Sequence, residues 1–109
     1  MKVSKELVKG STPILVLSLL RRKAMYGYEI IKEIEIKSSG VFNFKEGTLY
    51  PILHGFEDNE MVESFWMEGE NSRKRKYYKI TDKGMKFLRE REEEWQVFST
   101  TVSKIIMED

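Results

Sequence analysis

Residues 45–81 read KEGTLYPILHGFEDNEMVESFWMEGENSRKRKYYKIT, and the change of periodicity within that stretch constrains the fold more than any other feature. Leu49, Leu53 and Phe56 recur at i, i+4 and i+7, the spacing of a helix with one apolar face. Met61 to Glu68 then reads as a strand, Gly69-Glu70-Asn71-Ser72 as a turn, and the Tyr-rich run Arg73 to Ile80 as the return strand. The return strand opens on Arg73, Lys74, Arg75 and Lys76. A helix followed by a basic-edged hairpin is the layout of a winged helix-turn-helix. The expected class is therefore mainly α with a small β-hairpin (α+β), closed by a long C-terminal helix.

The 109 residues fit one domain with a modest core, which a partner subunit would enlarge. There is no cysteine, so disulfides and thiolate metal sites are excluded, and a reducing cytoplasmic location is expected. The apolar run Ile14 to Leu20 is interrupted by Ser18 and closed by Arg21, Arg22 and Lys23. It is far short of the roughly 20 residues of a membrane span, and no small-residue cleavage site follows it. Net charge is only +1, but the charge is segregated. Residues 1–28 hold six Lys or Arg against one acid, residues 73–79 hold five basic residues, and residues 90–94 hold four acids and one Arg. Such segregation can set a positive field on one face of a near-neutral protein, although solvated helix faces give the same pattern.

Along the chain, a first helix is expected over Lys5 to Arg22, with Leu7, Ile14, Leu17 and Leu20 in apolar contact. Gly10 and Pro13 weaken its start and suggest an N-terminal arm before a helix that firms up near Pro13. A second helix is expected from Tyr26 to Lys37, buried through Tyr28, Ile30, Ile31 and Ile34 and stopped by Ser38, Ser39 and Gly40. The third begins near Lys45, where Asn43 and Glu46 have capping-box spacing. Pro51, Gly47 and Gly55 are poor helix formers in it, since an interior proline costs about 3 kcal/mol. A shorter helix beginning after Gly47 is the alternative. Thr81 reads as the cap of a last helix. Leu88, Arg91, Trp95, Phe98, Val102 and Ile105 recur in it at spacings of 3 and 4, a seam suited to another helix. A second copy of the chain is the expected occupant of that seam.

A helix that reads DNA must show short polar and aromatic groups to the major groove while its other side packs on the scaffold. Thr48, Tyr50 and His54 suit that role, and Lys45 suits a phosphate. Tyr50 has a competing reading as a half-buried ring packed under the wing. His54, the only histidine in a chain without cysteine, makes a His/Cys zinc site implausible, and no metal or cofactor is expected. Cations on a protruding hairpin suit phosphates or a narrow minor groove. Strand alternation puts Arg73 and Arg75 on one face, with Lys74 and Lys76 on the other. The competing reading is a lysine-protected edge strand.

These residues bring the chain close to a known family. KEGTLYPILHGFEDNEMV (residues 45–62) and RKYYKITDKG (residues 75–84), with Met25 to Ile31 and Lys9-Gly10, resemble the PadR family of transcriptional regulators over nearly the whole chain. The resemblance is to the compact subfamily with one C-terminal helix. It implies a homodimeric winged-helix repressor, with residues 1–80 binding double-stranded DNA at a pseudo-palindromic operator and residues 81–109 forming the dimerisation helix. Thr48 and Tyr50 then lie in the reading helix and Arg73 to Lys76 in the wing. Lys5, Lys9 and Tyr26 join the expected DNA contacts, and Leu88, Trp95, Phe98, Val102 and Ile105 the dimer contacts. In multidrug-binding members a tryptophan on the last helix stacks planar aromatic drugs at the dimer centre. Trp95 matches it, and Ile14, Leu17, Ser18 and Leu88 match the surroundings of such an effector site. Glu92 departs from the pattern, because an aromatic residue stands there in drug-binding members. A carboxylate would narrow the pore, favour cations or form a salt bridge.

The competing function is a winged-helix protein-interaction module without nucleic acid, against which the unbroken basic run of the wing argues. An enzyme is the least favoured class. There is no cysteine, no nucleophile beside the lone histidine in sequence and no glycine-rich phosphate loop.

Overall fold

A computed structural model of the protein describes residues 2–108. In chain order it contains helix α1 (Lys5–Arg22), strand β1 (Met25–Tyr26), helix α2 (Gly27–Lys37), helix α3 (Glu46–Asp58), strands β2 (Val62–Glu68) and β3 (Lys74–Ile80), and helix α4 (Asp82–Ile106). A 3-10 turn, Glu70–Ser72, joins β2 to β3. The α+β winged-helix class expected from the sequence is the class observed.

Helix α1 is continuous from Lys5, capped by Ser4, whose hydroxyl accepts from the Leu7 amide at 3.4 Å. The expected arm before Pro13 does not exist. Pro13 has no N–H, so the Lys9 carbonyl forgoes its helical bond. Around that gap the hydroxyls of Ser11 and Thr12 donate to the carbonyls of Leu7 and Val8, Thr12 at 2.6 Å. Thr12 is itself buried, and Val16, Leu17, Leu19 and Leu20 follow it into the core. Burial of that stripe outweighs the local propensity. Leu7, expected among the apolar contacts, is exposed.

Tyr26, expected to open the second helix, ends strand β1 instead, and the helix starts one residue later. Met25 and Tyr26 pair antiparallel with Tyr78 and Tyr77 of β3, and Tyr26 is the N-cap of α2. Helix α2 buries Ile30, Ile31 and Ile34. Tyr28 lies off that stripe, half exposed beneath the Lys32 ammonium, which corrects the expectation that it is buried. The helix stops as expected. Gly40, at φ +81°, donates its N–H to the Glu35 carbonyl at 2.8 Å, a left-handed closing turn that glycine adopts without a Cβ penalty.

Helix α3 starts at Glu46 without the Asn43–Glu46 capping box, since Lys45 is the N-cap and makes no side-chain cap bond. It runs unbroken through Gly47, Pro51 and Gly55, so the shorter alternative is excluded. Gly47 and Pro51 both lie on its exposed side, where water reaches the carbonyl that Pro51 leaves without a donor. Leu49 and Leu53 are fully buried and Phe56 nearly so, as their spacing predicts.

The sheet has the order β1-β3-β2. Strand β3 pairs with β2 from Val62↔Ile80 through Phe65↔Tyr77 and Trp66↔Lys76 to Glu68↔Lys74. The hairpin tip turns through positive φ at Asn71 (67°) and Ser72 (58°), and asparagine tolerates that region better than most residues. Thr81 joins the hairpin to α4. Its hydroxyl accepts from the Gly84 amide at 3.0 Å and donates to the Glu60 carbonyl at 2.7 Å. A Cβ on Gly84 would collide with the Met61 carbonyl, so the first turn of α4 seats directly on the start of β2.

Leu88 is the last α4 residue in the core. Beyond it the expected seam is bare within one chain, with Trp95 45% exposed, Phe98 53% and Ile105 67%. No helix among the described residues is long and apolar enough to cross a membrane.

Thr81→Ala removes both the cap and the bond to Glu60, and is expected to cost about 1–2 kcal/mol. Urea unfolding should show a lowered midpoint with an unchanged m-value. Gly84→Ala is expected to lower it further, because the collision is with backbone that cannot rotate away.

Candidate nucleic-acid interface

Helix α3 and the hairpin are held side by side over Tyr78, which is 1% exposed. Between them lies an open groove of about 620 Å³. Tyr26, Tyr50 and His54 line it with Arg73, Lys74, Arg75 and Lys76, seven of the residues expected to meet DNA. Trp66, which the sequence did not single out for this role, lines it too and is largely exposed.

The four wing cations are not equivalent. Arg73 and Lys74 are exposed near the tip and enter no ion pair among the described residues. Arg75 lies over the Tyr26 ring, 4.5 Å from its centroid, and donates to the Tyr26 hydroxyl at 2.7 Å. Its guanidinium is thereby oriented while most of its donors stay free. Lys76 lies 5.5 Å from the Tyr78 ring centroid and donates to the Glu57 carboxylate at 3.4 Å.

Glu57 also accepts a hydrogen bond from the Ser64 hydroxyl. That bond first, and the Lys76 cation after it, hold the Glu57 carboxyl below its ordinary value. Glu57 therefore ties the C-terminal end of α3 to both wing strands and neutralises one wing charge. Sequence spacing gave no sign of this group, because Glu57 and Lys76 are 19 residues apart.

Tyr50 is half-buried, as its competing reading expects, but its close contact is with α2. Its ring lies against the first residue of α2, where a Cβ on Gly27 would stand 2.5 Å from the phenol oxygen. Burial, then the nearby Glu46, pushes the phenol above its ordinary value. Only glycine admits the ring at this close approach. Tyr50 thus packs against the start of α2 and also lines the groove.

The other expected DNA contacts lie elsewhere. Lys5, Lys9, Lys45 and Thr48 line a separate cleft between α1 and the start of α3. Lys45, Thr48 and His54 are exposed.

The expected effector residues are dispersed. Ile14 and Trp95 share a small cavity of about 260 Å³, whereas Ser18 lines a different one. Leu17 and Leu88 are fully buried within the chain and so expose no surface of their own in it. Glu92 pairs with Arg21 at 2.9 Å and so ties α4 to α1. Among the described residues no group of His, Asp and Glu is placed to hold a metal.

The sequence profile of the Transcriptional regulator PadR-like family matches residues 16–90, more than half of the chain. A transcriptional regulator from Clostridium thermocellum is 35% identical, with 92% of this chain and 97% of that one covered at a TM-score of 0.84. A PadR-like transcriptional regulator from Bacillus cereus is 30% identical, with 96% and 100% covered at a TM-score of 0.85. An uncharacterized protein of Lysinibacillus sphaericus is 36% identical over 93 residues, 85% of either chain.

Two measurements check this geometry without DNA. Gly27→Ala should force the Tyr50 ring outward and bring its phenol pKa back toward the ordinary value, as read by NMR of the labelled ring carbon. Glu57→Gln should lower stability above the ordinary carboxylate pKa of about 4.3. Because the folded Glu57 pKa is depressed, the parent's advantage is complete above that value and is lost as pH falls through the folded pKa. The two unfolding curves should therefore converge in acid.

Proposed function

The chain belongs to the PadR-like family of transcriptional regulators, which are not enzymes, and from that premise we propose that it acts as a homodimeric repressor. In this reading residues 1–80 bind double-stranded DNA in the cytoplasm and residues 81–109 make the dimer. The observation that carries it is the single groove lined by one edge of α3 and by the four wing cations. Thr48 and His54 meet base edges, Arg73 and Lys74 meet phosphates, and Arg75 enters the flanking groove from its stack on Tyr26. Two copies place their α3 helices in successive major grooves, about 34 Å apart on a pseudo-palindrome.

The bare α4 seam supports the dimer. Trp95, Phe98, Val102 and Ile105 are large apolar groups on a helix that its own chain does not cover. Control by a planar aromatic effector is a narrower reading. It rests on Trp95 and Ile14 around their shared cavity, since Leu17 and Leu88 are buried and Glu92 is engaged by Arg21. Quenching of tryptophan emission by planar compounds, lost in Trp95→Ala and kept in Trp66→Ala, would support it. The absence of quenching would remove it.

The DNA reading is tested by selecting bound fragments from genomic DNA at two salt concentrations. A recovered inverted repeat that survives near-physiological salt supports it, whereas unselective recovery that vanishes with salt favours the protein-interaction module. On the recovered site, Arg75→Ala is expected to weaken binding to all sequences alike and to flatten the salt slope by about one. Glu57→Gln is expected to act oppositely by freeing Lys76, raising nonspecific affinity and steepening the slope. Phe98→Asp is expected to yield monomers by light scattering and to lower operator affinity at least tenfold.

A further inference from the structure

A recess larger than the groove beside the wing lies on another part of the protein. A cleft of about 1080 Å³ opens between the N-terminal half of α1, the segment 40–45 and the start of α3. Lys2, Lys5, Lys9 and Lys45 stand around it, and no acidic residue lines it. None of these four lysines enters a salt bridge among the described residues, although lysines elsewhere on the chain do. The floor is apolar, formed by Val8, Phe42, Phe44 and Ile52.

Phosphates alone do not account for that combination. A DNA backbone is held by cations and hydrogen-bond donors and gains nothing from an apolar hollow behind them. An apolar recess ringed by uncompensated cations fits an anionic head on an apolar body, which buries its chain on the floor and leaves its charge among the ammonium groups. We propose that this cleft binds a small amphiphilic carboxylate. The ligand takes Lys5, Lys9 and Lys45 as its charge partners and lies beside Thr48. Since those residues are also expected DNA contacts, the ligand and DNA exclude one another by sharing a surface, without any change at the dimer interface. This last step alone rests on the DNA reading.

The test uses dodecanoate, kept below its micelle concentration, as probe. Calorimetry on the full chain without DNA is expected to show one site per chain. Lys9→Gln/Lys45→Gln should weaken it at least tenfold, Lys9→Arg/Lys45→Arg should retain it, and Trp95→Ala should leave it unchanged. Both lysines are exposed, so the variants are expected to fold, and matching thermal unfolding curves check this. Dodecanol, of the same chain length and uncharged, should bind at least tenfold more weakly. No binding, equal binding by the Lys→Gln pair, or loss in Trp95→Ala would overturn the site, the last by placing the probe on the α4 seam. With an operator duplex present, the apparent Kd for DNA should rise in proportion to free dodecanoate without levelling off. A rise that reaches a plateau would mean a ternary complex and overturn the shared surface, while the calorimetry reads the site itself even if no operator is found.

Discussion

The burial of Tyr78 at the centre of β3 is the contact on which the rest of the structure depends. Its strand is the middle one of the sheet, zipped to β2 on one side and to Met25-Tyr26 on the other. Its ring reaches the same buried cluster as Leu49 and Leu53 of α3, so helix and hairpin share one core rather than meeting at a hinge. A two-stranded ribbon alone is only marginally stable in water. Here the third strand, the shared core and the Glu57 clasp together convert a ribbon into a platform whose orientation to α3 is fixed. The groove between them is therefore preformed, and a ligand that fits it need not organise the wing first.

That rigidity uses up charge. Of the four wing cations, Lys76 is neutralised by Glu57 and Arg75 is half-buried over Tyr26. Stacking an arginine on an aromatic face orients the guanidinium without discharging it. Pairing a lysine with a carboxylate orients the carboxylate's neighbours but cancels the field. The two devices stand on opposite faces of one strand, one holding a cation ready and the other holding the scaffold together. Strand alternation predicts the two faces but is silent on which neighbours each face meets.

What the sequence made legible follows the range of the forces involved. The Leu49, Leu53 and Phe56 stripe, the Ser38-Ser39-Gly40 stop and the Thr81 cap are decided within a few residues, and all are observed. Strand β1 is only two residues long, too short for any periodicity, and exists because β3 pairs with it from some 50 positions away. Asn43 and Glu46 have the spacing of a cap yet do not form it. Pro51 sits inside α3 because the buried face on the opposite side outweighs one missing bond, and Pro13 sits inside α1 because it shares the face that buries Val16, Leu17 and Leu20. At the candidate site, Tyr50 was drawn equally to reading and to scaffold, and only its approach to Gly27 separates the two. Leu17 and Leu88 were assigned to an effector site by resemblance. Their burial in this chain depends on the packing of α4 against α1 and β3, which no local pattern encodes.

The same accounting bears on why one copy would be insufficient. A chain of net charge +1, with one wing cation cancelled and another half-buried, has a weak nonspecific attraction for a polyanion. Weak background is useful to a selective binder, because every genomic site competes. It also leaves a single reading head with limited affinity of its own, from one short helix face and a handful of unpaired cations. Joining two such heads turns the second contact into an intramolecular event at millimolar effective concentration, which multiplies affinity at a paired site and leaves unpaired sequence nearly unaffected. In the proposed dimer the apolar length of α4 beyond Leu88 supplies that junction. Selectivity then comes from the spacing of two modest heads more than from the strength of either.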